Sequence, residues 1–398
     1  MGICDGRPTE RQFLQALRGH GNDDIATVPC SITATWHDLL TDADRAGAVR
    51  LLTTGHEGNL PGLAAGMWLG TGRPALVHMQ NSGLPNAADG FISLASADVY
   101  GIPMVALVTW RGDTAGDESE PHQAIGRRTE ALCDAVFGPD AVFGRRDGAD
   151  ILAQLDAAVA CARTGRPAAL RLASTALRRD GGLRLPPAAP PVMPSHLDEL
   201  MLLKGAVSLP ASLSGVTPVT RDHALAAIVA EHPDAAILFS NGFTSRAAQA
   251  VADRPGNFYN AGYMGGTLAM GWGLAISRPD LEVVVVDGDQ NAVMSGMKDV
   301  LAADYPPNLH WYILDNGIGA SVGAAASVPI TPLCRTLARV VATVPDAPGS
   351  FRHPRVRTTG VYAAEAVDQA PGTLTGLARG LRRWITHRSG ERHDRAEA

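Results

Sequence analysis

The chain has 398 residues, 45% of them hydrophobic and 19% charged, a profile that excludes a disordered or fibrous protein. Its 34 basic and 40 acidic residues give a formal net charge of −6, and no basic run interleaves with aromatics, which argues against nucleic acid or a membrane surface as partner. At roughly 100–200 residues per domain there is room for two α/β domains.

The opening MGICDGRPTERQF has no apolar signal core and lacks the Ser or Thr that myristoylation requires, and no apolar run in the chain reaches membrane-spanning length. Five scattered cysteines (Cys4, Cys30, Cys133, Cys161, Cys334) form no Cys-x-x-Cys pair, so a reduced, cytoplasmic setting is expected. Apolar runs then recur as IATV at 25, PALVHM at 74, PMVALVTW at 103 and AALRL at 168, spaced by helical-looking stretches. Strands spaced by helices predict a parallel sheet covered on both faces. From Arg178 to about Pro218 the chain is rich in Pro and small residues, which predicts a surface linker. Beyond it RDHALAAIVAEH predicts a helix, and AAILFS at 235, EVVVV at 282 and LHWYIL at 309 predict strands.

The pattern as a whole predicts two doubly wound parallel-sheet α/β domains without a middle domain. They span residues 1–178 and 219–386, with a linker at 179–218 and a charged tail at 387–398 that is expected to fray. No residue-level repeat relates the halves, so any duplication is architectural.

Two short motifs fail on inspection. HEGNL at His56 begins like a zinc-protease helix but has Leu60 where the second histidine is needed. GIGASVG at Gly317 has the wrong spacing for a dinucleotide fingerprint and no acidic residue where a ribose would bind. More informative are the ends of two strands, where EVVVV runs into Asp287-Gly288-Asp289 and LHWYIL into Asp315-Asn316-Gly317. Ligands of open α/β sheets bind at the carboxyl ends of strands. A carboxylate from Asp289 and an amide oxygen from Asn316 are hard ligands suited to Mg²⁺. Capping of the following helix is the alternative role for Asp289, and Asp287 reads as a strand-end or turn residue.

The same residues resemble the thiamine-diphosphate motif, in which Asp, Asn and a backbone carbonyl two residues on hold Mg²⁺ against the diphosphate. Here these are Asp289, Asn316 and Ile318, with Gly288 and Gln290 beside them. The stretch from Thr53 to Asp113 resembles the pyrimidine-binding domain of phosphonopyruvate and sulfopyruvate decarboxylases, as do VPCS at Val28, QNSGL at Gln80, YGIPM at Tyr100 and TSRAAQAVADRPGNFYNAGYMG at Thr244. The resemblance implies pyrimidine-binding and diphosphate-binding domains and a homodimer or homotetramer with active sites between subunits. It implies decarboxylation of a 2-oxo acid to an aldehyde, with thiamine diphosphate and Mg²⁺ as cofactors. Glu57 is then the glutamate that shares a proton with the aminopyrimidine, and burial is expected to raise its pKa. The first turn of a helix is the alternative place for it.

By the same resemblance Gly242 and Thr244 belong to the diphosphate loop, and Met264 to the apolar wedge that bends the cofactor, unless it is an ordinary core methionine. Gln80, Asn81 and Ser82 are candidates for holding substrate, or form a polar turn. His122 is a candidate proton donor, or a solvated loop histidine. Three departures from the family bear on substrate: Gln290 replaces a glycine, Phe243 replaces a lysine, and the polar run after the metal asparagine has become GASVGAA at Gly319. They point to a substrate less anionic than phosphonopyruvate. Two other fates stay open: a carboligase that passes the decarboxylated fragment to an aldehyde or ketone, and a silent binding module in which Gln290 blocks the diphosphate.

Overall fold

The computed structural model describes residues 7–112, 119–179, 218–319, 325–326, 328–344 and 374–396. The chain forms two compact units, each built on a parallel sheet. Residues 180–217 of the expected linker, and most of the apolar GASVGAA run, lie outside the described residues.

The first sheet comprises β1 (Asp24–Thr27), β2 (Arg50–Thr53), β3 (Ala75–Gln80), β4 (Met104–Trp110), β5 (Val142–Phe143) and β6 (Pro167–Ala173), in the order β2-β1-β3-β4-β6-β5. All its pairings are parallel. Every residue of β4 is buried, as expected of a central parallel strand covered on both faces. Helices α1 (Glu10–Gly19), α2 (Ala34–Arg45), α3 (Leu60–Thr71), α4 (Leu84–Asp89), α5 (Glu120–Gly126), α6 (Thr129–Phe137) and α7 (Ile151–Ala162) connect the strands. Phe13 and Leu17 of α1, Trp36 and Leu40 of α2, and Leu155 and Val159 of α7 share one core. There Phe13 meets Trp36 edge-on at 5.7 Å, a favoured aromatic geometry.

The second sheet comprises β7 (Ala236–Phe239), β8 (Asn257–Tyr259), β9 (Val283–Gly288), β10 (Leu309–Asp315) and β13 (Arg339–Ala342), in the order β13-β10-β9-β7-β8 and again all parallel. A two-stranded ribbon pairs β11 (Ile318–Gly319) with β12 (Ala325–Ala326). The helices are α8 (Arg221–Glu231), α9 (Phe243–Ala252), α10 (Thr267–Ser277), α11 (Asp289–Met294), α12 (Lys298–Ala303), α13 (Pro332–Leu337) and α14 (Leu374–Ala396). Helix α14 runs to Ala396, through most of the stretch read as a charged tail.

The duplication is architectural. In each sheet the second strand lies outside the first and the third returns to its other side, so connections diverge between β1 and β3 and between β7 and β9. Such switch points leave a crevice at the strands' carboxyl ends, and the candidate residues cluster at these two crevices.

Candidate active site

At the crevice of the second unit, β7 ends in Ser240-Asn241-Gly242 and β9 in Gly288-Asp289. Ser240 is buried and its Oγ accepts from Gly288 N at 3.2 Å, pinning the two strand ends together. Gly242 adopts φ 84° and ψ −136°, which glycine alone adopts without strain. That turn launches α9, whose Thr244 is 95% buried. Gly288, Asp289, Gln290, Asn316, Ile318 and Thr244 line one pocket. Six sequence-predicted residues from three segments are thereby brought together.

Asp289 is the first residue of α11 and 94% buried, and its Oδ1 accepts from Gln290 N at 2.8 Å. The cap position itself is Gly288, with no side-chain cap bond, so Asp289 stands inside the helix start and does not take the capping role. Asn316 Oδ1 accepts from Ile318 N at 3.1 Å, which holds the turn after β10 against the pocket. Two atoms of the wall are buried polar groups with no partner among the described residues, Nε2 of Gln290 and Oδ1 of Asn241. A donor left unmade at a pocket wall is suited to an anionic ligand.

Among the described residues no group of three or more His, Cys, Asp or Glu side chains could hold a metal. Mg²⁺ does not need such a cage, because it is commonly bound by one or two carboxylates together with phosphate oxygens and water. The donor set of Asp289, Asn316 and the Ile318 carbonyl fits that ion, and the orphaned Gln290 amide fits a diphosphate.

Alternatives left open at two other residues are decided. Asp287 is a strand-end residue and not a turn residue: it is next to last in β9, is fully buried, and its Oδ2 accepts from Trp311 Nε1 at 2.9 Å. Burial pushes its carboxyl up to about 7, against the bonds from Trp311 and Ser240. Met264 is 57% exposed and outside the pocket lining, so it is not an ordinary core methionine. Arg221 was not anticipated. It lines the same pocket, with its guanidinium over the ring of Phe243; a contact between residues 22 positions apart leaves no trace in spacing.

In the first unit Glu57 opens a short 3₁₀ turn, Glu57–Asn59, that leads from β2 into α3. Its Oε2 accepts from Asn86 Nδ2 at 3.1 Å. The side chain lies over Gly83, where a Cβ would stand 2.5 Å from Oε1. Glu57 is half-buried in the single chain rather than enclosed.

The ends of β3 and β4 carry a second polar cluster. Gln80 Oε1 accepts from Cys30 Sγ at 3.2 Å and from Arg111 Nη1 at 3.4 Å, while its Nε2 donates to Ser82 Oγ at 2.5 Å. Arg111 Nη1 also donates to Ser31 Oγ at 2.9 Å. Gln80, half-buried, and Ser82, exposed, thus sit beside a guanidinium that the spacing did not single out. Asn81 does not join them as a substrate contact. It is buried, its Nδ2 donates to Arg111 O and Thr129 Oγ1, and its Oδ1 accepts from Arg111 N, so it ties β3 to β4. His122 lies on α5, half-buried, with Nδ1 3.0 Å from Ser119 Oγ, and its carbonyl packs on Gly112 just past Arg111.

Comparison with known proteins agrees with this geometry. Residues 8–129 match the N-terminal TPP binding domain of thiamine pyrophosphate enzymes and residues 241–330 the C-terminal TPP binding domain. The chain is 35% identical over 320 residues to a phosphonopyruvate decarboxylase of Streptomyces hygroscopicus, covering 78% of this chain and 73% of that one. It is 25% identical over 321 residues to a sulfopyruvate decarboxylase of Methanosarcina acetivorans, covering 79% and 77%. A solved thiamine diphosphate-dependent 4-hydroxybenzoylformate decarboxylase of Rhodococcus jostii RHA1 superposes with a TM-score of 0.60 at 14% identity, over 83% of this chain and 92% of that one, and bears on the fold alone. With both cofactor-binding domains matched and a relative of this identity aligned over most of both chains, the protein belongs to the thiamine pyrophosphate enzyme family, alongside the phosphonopyruvate decarboxylases.

Proposed function

We propose that this thiamine-diphosphate- and Mg²⁺-dependent carboxy-lyase acts on a short 2-oxo acid bearing a second acidic group and releases the corresponding aldehyde. The observation that carries the reading is the single pocket shared by Gly288, Asp289, Gln290, Asn316 and Ile318 at the β7/β9 crevice. Bound thiamine diphosphate supplies the electron sink for loss of CO₂. The chain's own residues bind, orient and move protons. Asp289, Asn316 and the Ile318 carbonyl hold Mg²⁺, and Gly242 and Thr244 shape the loop beside the diphosphate.

Glu57 would exchange a proton with the bound cofactor; its Oε2 is steadied by Asn86 and its Oε1 lies over Gly83. Arg111, Ser31 and Gln80 take the substrate's acid groups. That cation supports a doubly acidic substrate, against the expectation of a less anionic one. His122 is the proton donor to the product carbon, and imidazole is suited to that work near neutrality. Met264, more than half exposed, would press on a bound cofactor.

The family resemblance supports a homodimer as the smallest active unit, with the pyrimidine half of one subunit serving the diphosphate half of another. A reducing cytoplasm suits the unpaired Cys30, Cys133, Cys161 and Cys334.

The test is a substrate panel of phosphonopyruvate, sulfopyruvate, pyruvate and benzoylformate with thiamine diphosphate and Mg²⁺, following CO₂ and aldehyde. Release of both from a doubly acidic member in preference to pyruvate is the expected result. No CO₂ from any member would refute the reading, and product only in the presence of an aldehyde acceptor would make the enzyme a carboligase.

A further inference from the structure

The polar cluster at the ends of β3 and β4 rests on a second network that is buried throughout. His78, two residues before Gln80 in β3, is fully buried, as are Thr27 at the end of β1 and Thr109 near the end of β4, and Thr33 is buried beside them. Nδ1 of His78 lies 2.9 Å from Thr27 Oγ1, and Nε2 lies 3.2 Å from both Thr33 Oγ1 and Thr109 Oγ1. Thr33 Oγ1 donates to Cys30 O at 3.4 Å, which uses its only proton. Nε2 therefore carries the imidazole proton and donates to the two threonines, while Nδ1 accepts from Thr27. Polar side chains in such a core are costly unless each has a partner, and here each has one.

Thr33 connects this network to the site. It closes the 3₁₀ turn Ser31–Thr33 that leads from β1 into α2. Ser31, exposed on that turn, accepts from Arg111 Nη1 at 2.9 Å, and Cys30, just before it, donates to Gln80 Oε1 at 3.2 Å. The segment is fastened to His78 at both ends, because Val28 N donates to His78 O at 3.1 Å and Thr33 meets the ring. No side chain caps the turn at Cys30, and a single 3₁₀ turn has little stability of its own. Its place relative to the arginine is set by the imidazole on which it rests.

We propose that His78 and Thr33 are positioning residues for the substrate's cation. The ring holds the Cys30–Thr33 turn, the turn presents Ser31 to Arg111 and Cys30 to Gln80, and preference for a doubly acidic 2-oxo acid depends on that latch. The inference rests on the reading of Arg111 as the residue that takes the substrate's acid group. Both positioning residues are too deeply buried to touch substrate themselves.

Steady-state kinetics of the full-length enzyme with thiamine diphosphate and Mg²⁺, on phosphonopyruvate, sulfopyruvate and pyruvate, test this. Thr33→Val keeps the side chain's shape and removes the hydroxyl. It should raise KM for a doubly acidic acid about 3- to 10-fold, with less than about twofold change for pyruvate and in kcat. Thr33→Ser, which keeps the hydroxyl, should restore most of the wild-type KM. His78→Gln, assayed below its melting temperature, should shift the same KM in the same direction by at least about threefold. In an Arg111→Met background Thr33→Val should change KM by less than about twofold, because the group that it positions is gone. A residue that only stabilised the fold would lower activity on every acid, with or without the arginine.

An unchanged KM in Thr33→Val, a loss equal on all the acids, or an undiminished effect in the Arg111→Met background would overturn the latch and leave the arginine's role standing. If Arg111→Met by itself leaves the preference among the acids unchanged, the substrate reading fails and the latch with it, a result that the arginine variant shows alone.

Discussion

Glu57 lies across the bare Cα of Gly83, so closely that a Cβ on the glycine would stand 2.4 Å from its Cγ and 2.5 Å from its Oε1. The backbone at Gly83 is right-handed, φ −85° and ψ −14°, so alanine is excluded by the carboxylate and not by conformation. Gly83→Ala should therefore fold normally and swing Glu57 away from its place. A proton-transfer group so displaced commonly loses about 10²-fold or more in rate. We expect Gly83→Ala to approach Glu57→Gln in turnover while both still bind thiamine diphosphate. Wild-type turnover in Gly83→Ala would show that the carboxylate is not positioned by this contact.

On the proposed reading, Asp289 concentrates the metal dependence in one side chain. After stripping with a chelator, thiamine diphosphate binding should vanish and return on adding Mg²⁺. In Asp289→Ala the Mg²⁺ concentration needed to restore binding should rise at least about 10-fold, since one charge-assisted ligand is lost. The melting temperature of the stripped variant should not fall below that of the stripped wild type, because a 94% buried carboxylate is removed with its desolvation penalty. An unchanged Mg²⁺ requirement would move the metal elsewhere.

Much of this site was readable in the sequence because central parallel strands are buried on both faces and appear as unbroken apolar runs. VVVV and LHWYIL therefore advertised β9 and β10, and with them the ends that carry Asp289 and Asn316. The strands of the two parallel sheets that were not anticipated, β2, β5, β8 and β13, are the edges of those sheets. They are short, and β2 and β13 begin with arginine, so neither length nor pattern announced them. Residue-type reasoning also could not separate Gln80 from Asn81. The division between an accessible amide and one consumed in tying β3 to β4 depends on which way each side chain leaves the strand end, and that is fixed only by packing against Arg111 and Thr129.

His78 provides a pH signature independent of the cofactor. It is fully buried in β3, with Thr27 Oγ1 2.9 Å from Nδ1 and Thr33 Oγ1 and Thr109 Oγ1 each 3.2 Å from Nε2. Burial, and secondarily His37, push its pKa down to about 3. The depressed value means the folded state prefers the neutral ring. Its stability contribution is whole above the unfolded value near 6.5 and is lost as pH falls towards about 3. Urea unfolding at pH 7.5 and 4.5 should show a loss on acidification of up to about 3 kcal/mol attributable to this residue. His78→Gln should be less stable at pH 7.5 by about 1–2 kcal/mol but show a flatter slope between the two conditions. Equal slopes would mean that the ring is not held neutral by burial.

On the proposed function, Arg111 decides which 2-oxo acid is preferred. Its guanidinium is fixed by Ser31 Oγ at 2.9 Å and Gln80 Oε1 at 3.4 Å, and its own backbone N–H and carbonyl are held by the buried Asn81. Three strand ends thus converge on a cation whose position is set from both its main chain and its side chain. Such preorganisation favours a fixed anion over a neutral group of the same shape. Arg111→Met should raise the KM for a doubly acidic 2-oxo acid about 10- to 100-fold, with a smaller effect for pyruvate and no change in thiamine diphosphate affinity. Arg111→Lys, which keeps the charge but loses the planar fork, should fall between. Uniform losses across all substrates would assign the arginine to holding the loop at Ser31 and would return the preference to a less anionic acid.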